Sequence, residues 1–175
     1  MNRGLIHIYC GDGKGKTTAA IGLAVRAAGR GMPVLIAQFL KGRDSGELHA
    51  LAKIPEITLL RGKAGDKFTF QMDERELQQT YDENSKLLLS AVEAARAGDC
   101  RLLVLDEIMG ALSTGTVDAD LLRSFVERKP AELELVLTGR NPPGWLVEAA
   151  DYVSEIQKRK HPFDRGIPAR EGIEL

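Results

Sequence analysis

An apolar run, Leu5-Ile6-His7-Ile8-Tyr9, leads without interruption into Cys10-Gly11-Asp12-Gly13-Lys14-Gly15-Lys16-Thr17-Thr18, and that into Ala19-Ala20-Ile21-Gly22-Leu23-Ala24. This is the order strand, glycine loop, helix. Glycines allow a loop to turn successive backbone N–H groups inward around phosphate oxygens, and the helix that follows presents the positive end of its dipole to the same place. In such an arrangement Gly11, Asp12, Gly13, Lys14, Gly15, Lys16, Thr17 and Thr18 surround a triphosphate. Lys16 lies against the outer phosphates and the Thr17 hydroxyl reaches a magnesium ion. One position departs from the usual spacing: counted back from Gly15-Lys16-Thr17, the first glycine is replaced by Cys10. Gly11 and Gly13 must then supply the turn.

The rest of the chain repeats the alternation of short apolar runs with helical periodicity. Residues 33–39, 57–60, 101–107, 133–138 and 151–156 read as strands. Most are continuously apolar, as strands buried on both faces are. A first helix closes near Gly29 and Gly31. Asp73 with Glu76 forms a capping-box pattern that opens a long helix with Leu77, Tyr81, Leu88, Ala91, Val92 and Ala95 on one stripe, ending near Gly98. Residues 116–129 form a second amphipathic helix, and Pro142-Pro143 starts a short one through Trp145. Strands alternating with helices imply an α/β fold of the P-loop NTPase type, a mostly parallel sheet with helices on both faces. With no repeat, linker or low-complexity stretch, residues 1–175 read as one domain.

Charge narrows the partners. The chain carries 24 Lys plus Arg against 25 Asp plus Glu, so no large basic field points to nucleic acid or a membrane surface. No apolar run is long enough to cross a bilayer, and no signal-peptide pattern precedes the first strand. Cys10 and Cys100 read as small buried thiols, which fits a reducing, cytoplasmic location.

Candidate ligand contacts gather where the strands end, because open parallel sheets bind ligands beyond their carboxyl edges. Gln38-Phe39-Leu40-Lys41-Gly42 lies there. So does Asp106-Glu107, the acidic end of an apolar strand, where a carboxylate completes the magnesium shell in phosphate-loop proteins. Arg140 follows the next strand at the same edge. Phe68 and Phe70 share a side if the chain is extended, which suits either packing of a loop or a ligand platform. His7 reads as a satisfied core histidine and His49 as a surface one. The basic tail at 158–161 reads as a solvated face, or lies near a phosphate or another ligand.

Taken together, Gly11-Asp12-Gly13-Lys14-Gly15-Lys16-Thr17-Thr18-Ala19-Ala20, Gln38-Phe39-Leu40-Lys41-Gly42, Leu105-Asp106-Glu107, Thr138-Gly139-Arg140 and Lys160-His161-Pro162-Phe163-Asp164 resemble the P-loop ATP:corrinoid adenosyltransferases in content and order. The resemblance spans essentially the whole chain and includes the missing first glycine. It implies transfer of the 5′-deoxyadenosyl group of ATP to cobalt(I) of a corrinoid, with release of triphosphate. It also implies magnesium held by Thr17 and Glu107 with Asp106 close behind, and a triphosphate neutralised by Lys14 and Lys16. Gln38 and Arg140 join the ATP contacts, and Phe68 and Phe70 approach the lower face of the corrin. A homodimer and an electron donor such as a reduced flavoprotein belong to the same expectation. Some relatives carry an N-terminal extension over the site; here closure is expected from elsewhere, such as a second subunit. Two rival readings stand beside it: another P-loop kinase or NTPase, and a recombinase-like nucleic-acid-binding ATPase. The near-neutral charge disfavours the second.

Overall fold

The computed structural model describes residues 3–42, 44–62 and 69–174. Among these residues six strands are found: β1 (Ile6–Cys10), β2 (Val34–Gln38), β3 (Ile57–Arg61), β4 (Leu102–Asp106), β5 (Glu134–Thr138) and β6 (Tyr152–Glu155). They form one sheet in the order β3-β2-β4-β5-β1-β6, and every pairing is parallel. The helices between them are α1 (Lys16–Ala28), α2 (Gly46–Leu51), α3 (Glu74–Ala97), α4 (Ile108–Ser113), α5 (Ala119–Glu127) and α6 (Gly144–Ala149).

The two-residue period of the strands sorts their side chains into two cores. On one face, Val34, Ile36, Leu102, Val104 and Val136 meet Ala20, Ala24 and Ala28, the small stripe of α1. Alanines let that helix lie close against the strands whose ends it must serve. On the other face, Ile6, Ile8, Leu35, Leu103, Leu105, Leu135 and Leu137 pack under Leu88, Ala91 and Val92 of α3 and Leu122 and Phe125 of α5. The expected α/β class, parallel sheet and helices on both faces are therefore found.

Helix α3 follows the capping signal. Asp73 accepts from Glu76 N while Glu76 accepts from Asp73 N, and Gly98 closes the helix in a left-handed conformation at φ 85°. Two expectations are corrected. The helix expected over 116–129 begins only at Ala119, because Asp118 caps it by accepting from Leu121 N, and the buried Thr116 carbonyl instead accepts from Asn84 Nδ2. Thr69–Gln71 is a single 3-10 turn, so the extended geometry that would align Phe68 with Phe70 does not apply to Phe70. Phe68 lies outside the described residues. Helices α2 and α4 were not anticipated from the sequence. At six residues each, they are too short to display a period.

Candidate active site

β1 runs into the glycine loop, the ends of β2, β4 and β5 meet beside it, and the loop itself is pinned from its far side. Gly13 N donates to the Ile156 carbonyl at 2.7 Å, just past β6. A Cβ on Gly11 would stand 2.4 Å from that oxygen, and one on Gly13 2.7 Å from it, so glycine is required at both positions. The loop thus turns in the way the displaced glycine spacing demanded. Asp12 serves the same anchoring: its carboxylate accepts from Lys158 N at 2.9 Å, a bond that also holds its pKa below the usual carboxylate range. Gly15 precedes α1 without a side-chain cap, which leaves the first amides of that helix to whatever occupies the loop.

Asp106, the last residue of β4, is the hub of the site. It is 1% exposed, and both carboxylate oxygens are fully engaged. Oδ1 accepts from Thr17 Oγ1 at 2.9 Å and from Thr138 Oγ1 at 2.7 Å. Oδ2 accepts from Lys41 Nζ at 2.7 Å and from Gln38 Nε2 at 3.3 Å. Lys41 Nζ also reaches Thr17 Oγ1 at 3.2 Å. Residues from the ends of β2, β4 and β5 and from the start of α1 thus converge on one carboxylate. A buried acid is tolerable only when paired and hydrogen-bonded in this way. Gln38 is fully buried, and its Oε1 finds no hydrogen-bond partner among the described residues.

Glu107 occupies a different position from its neighbour. It sits at φ 62°, between β4 and α4, with its N–H donated to Thr138 Oγ1 at 2.9 Å. Burial, and then the adjacent Asp106 charge, push its pKa up; Lys41, Lys16 and Arg140 pull it down. Leu40 (φ 55°) and Asn141 (φ 51°) are the other left-handed non-glycine residues among those described. All three lie just past the carboxyl ends of β2, β4 and β5. Backbone strain concentrated at one sheet edge marks a functional site more often than a packing accident.

A cavity of about 460 Å³ opens over the loop, with Lys14, Lys16, Thr17, Lys41 and Glu107 on its walls. Lys16 is 8% exposed, and its ammonium donates to the loop's own Gly13 carbonyl at 2.9 Å. Thr18 lines the cavity too. Gly11, Asp12, Gly13, Gln38 and Arg140 are not on its walls. Arg140 is exposed beside this edge, close enough to act electrostatically on Glu107 and Asp12. Phe70 is 81% exposed. Sequence reasoning missed Lys41 and Thr138 as partners of Asp106, although both lay in stretches it singled out. It left His161 open as a neighbour of a phosphate, and His161 lines the cavity; it did not single out Glu174, which lines it as well.

Residues 2–175 match the family described as ATP:corrinoid adenosyltransferase BtuR/CobO/CobP. A corrinoid adenosyltransferase of Pseudomonas aeruginosa is 35% identical over 99% of this chain and 84% of its own length. One from a Sinorhizobium species is 37% identical over 99% and 81%. Among solved structures, a KaiC-like protein of Pyrococcus horikoshii superposes with a TM-score of 0.58 over 92% of this chain and 76% of its own, at 18% identity, a likeness of fold alone. The chain belongs to the ATP:corrinoid adenosyltransferase BtuR/CobO/CobP family.

Proposed function

We propose that the cavity over the glycine loop takes the triphosphate of ATP, and that the chain passes the 5′-deoxyadenosyl group to cobalt(I) of a corrinoid. Adenosylation of a corrinoid at the expense of ATP is the activity of its family. The observation that carries the residue-level reading is the Asp106 hub, which draws Thr17, Lys41, Gln38 and Thr138 together beside the loop lysines.

The reaction asks little acid–base chemistry of the protein. A lone pair on cobalt(I) attacks C5′, the C5′–O bond breaks, and its electron pair leaves on a triphosphate oxygen. No proton changes hands. What remains is to hold the nucleotide in line and to neutralise the charge that grows on the leaving group. Lys16 exchanges its bond to the Gly13 carbonyl for a phosphate oxygen; Lys14 and the free amides of α1 add to it. Thr17 and the Asp106 carboxylate are hard oxygen donors already facing the Lys41 ammonium, so the spot suits a cation. Thr17, with Glu107 and Asp106, would hold magnesium, which when bound supplies further neutralisation of the triphosphate. Asp12 supports the loop through Lys158, Arg140 contacts the nucleotide beyond the cavity walls, and Gln38, expected from the sequence to touch ATP but fully buried, acts on it through its bond to Asp106. Phe70, together with Phe68, approaches the corrin.

The whole chain acts as one domain in this reading, as a cytoplasmic homodimer supplied by an electron donor such as a reduced flavoprotein. Among the described residues no helix is long and apolar enough to cross a membrane.

The test is incubation with ATP, magnesium and a chemically reduced corrinoid. The expected result is a light-sensitive adenosyl corrinoid and one triphosphate per transfer. ADP and phosphate with the corrinoid unchanged would instead support the kinase or NTPase reading. Replacing Phe68 and Phe70 together by alanine should lower activity assayed from cobalt(II) corrinoid plus reductant more than it weakens ATP binding. Equal losses would count against the aromatic assignment.

A further inference from the structure

The cavity over the loop is not walled by the loop and strand ends alone. Gly172, Ile173 and Glu174 form part of it, in a turn closed by Ile173 N and Glu174 N donating to the Arg170 carbonyl. Two hydrogen bonds tie this turn to the loop, and both come from Lys14. Its ammonium donates to Glu174 Oε1 at 2.7 Å and to the Ile173 carbonyl at 3.4 Å. Arg170 holds the same carboxylate from the other side, through Nη2 to Oε1 at 3.0 Å and through Nε and N to Oε2 at 3.1 and 3.0 Å. A forked guanidinium grip of this kind fixes a carboxylate in orientation as well as in place.

Resting on the triphosphate reading above, we infer that Glu174 is an internal anion standing on Lys14 in place of a phosphate, which a polyphosphate must displace before Lys14 can bind it. Lys16 is engaged with a neutral carbonyl, whereas Lys14 is engaged with a full negative charge. A ligand that reaches Lys14 therefore meets an ion pair that has to be exchanged, and a ligand too short to reach it meets none. Arg170 and Lys14 hold the Glu174 carboxyl well below the usual carboxylate range, so the anion is present at every working pH. The exchange is reversible. When triphosphate leaves, the carboxylate held ready by Arg170 takes Lys14 back, which favours release of the highly charged product.

The experiment is calorimetric titration of inorganic tripolyphosphate into four full-length proteins: wild type, Glu174→Gln, Lys14→Gln and the double variant. Because the pair is partly exposed, Glu174→Gln should bind tripolyphosphate about two- to fivefold tighter. Lys14→Gln should bind more weakly, and in that background Glu174→Gln should have no further effect. Melting curves establish that each variant is folded. A Glu174→Gln protein that binds equally or more weakly overturns the inference, since the carboxylate would then position Lys14 rather than compete for it. A gain that persists without Lys14 also overturns it, as a general field effect. If none of the four binds tripolyphosphate, the phosphate-site reading falls and takes this inference with it; binding that ignores Glu174 removes the inference alone.

Discussion

At the amino edge of the sheet, charged side chains are spent on the backbone. Glu134 accepts from Leu5 N at 2.9 Å and from the His7 ring, which stacks on Tyr152 with centroids 4.6 Å apart. Asp151 accepts from Ile6 N at 2.8 Å, and Lys129 donates to the carbonyls of Gly4 and Leu133 at 2.8 and 2.9 Å. These contacts satisfy the open ends of β1 and β5. At the carboxyl edge, side chains instead face one another around Asp106, and the described non-glycine residues with left-handed backbone all lie at that edge. Gln38 Oε1 is buried there without a donor among the described residues. Each such feature costs on the order of 1–3 kcal/mol. One edge holds the strands in place; on the function proposed above, the other holds polar groups for a ligand. On that reading, polar groups satisfied by backbone serve stability, and those satisfied by each other beside strained backbone serve binding.

Substitutions can break this contrast. The largest expected effect is at the carboxyl edge. Lys16→Ala should cut adenosylation by about 10²–10³-fold, in line with loss of one charge-stabilising donor, while the melting temperature stays near that of wild type. An unfolded or strongly destabilised Lys16→Ala protein would erase the distinction between the edges. Glu134→Ala should do the reverse. Losing its bonds to Leu5 and His7 should lower stability by about 2–3 kcal/mol, read by chemical denaturation, with turnover of the folded protein unchanged. A Glu134 variant that is fully stable but inactive would move function to the wrong edge. The smallest effect sharpens the point. Gln38→Leu removes a buried acceptor that lacks a donor as well as a long bond to Asp106, and should leave stability unchanged or raise it by about 1 kcal/mol. The same change should reduce turnover. Gln38→Leu that destabilises and keeps full activity would make Gln38 a structural residue.

Some of this was legible in the chain and some was not, for physical reasons. The glycine loop was readable because its requirement is local: the turn must happen within a few residues, and only glycine fits against Ile156. The α3 cap and the acidic end of β4 were readable for the same reason. Lys41 carried no such signal, because a lysine in a polar loop looks solvated until the fold brings Asp106 within 2.7 Å, across 65 positions. Glu174 meets Lys14 across 160 positions, which no spacing rule anticipates. The Phe70 geometry depended on a local backbone state, extended or 3-10, that alternation of residue types does not determine. The different surroundings of the two strand-end acids were also hidden: the hydrogen bonds gather on the buried Asp106, while Glu107 lies on the cavity wall.

The contrast between the edges is tested most directly by the rise in melting temperature that magnesium and ATP produce in wild type, Lys16→Ala and Glu134→Ala. At a hundredfold excess over the dissociation constant, a ligand adds about 2.7 kcal/mol to the folded state, or roughly 5–10 °C for a chain of this size. Wild type should show that rise, Glu134→Ala should show the same rise from a lower starting point, and Lys16→Ala should start normally and fail to rise. A Lys16→Ala protein that is stabilised as strongly as wild type, or a Glu134→Ala protein that has lost the response while remaining folded, would contradict the assignment of binding to the carboxyl edge and stability to the amino edge.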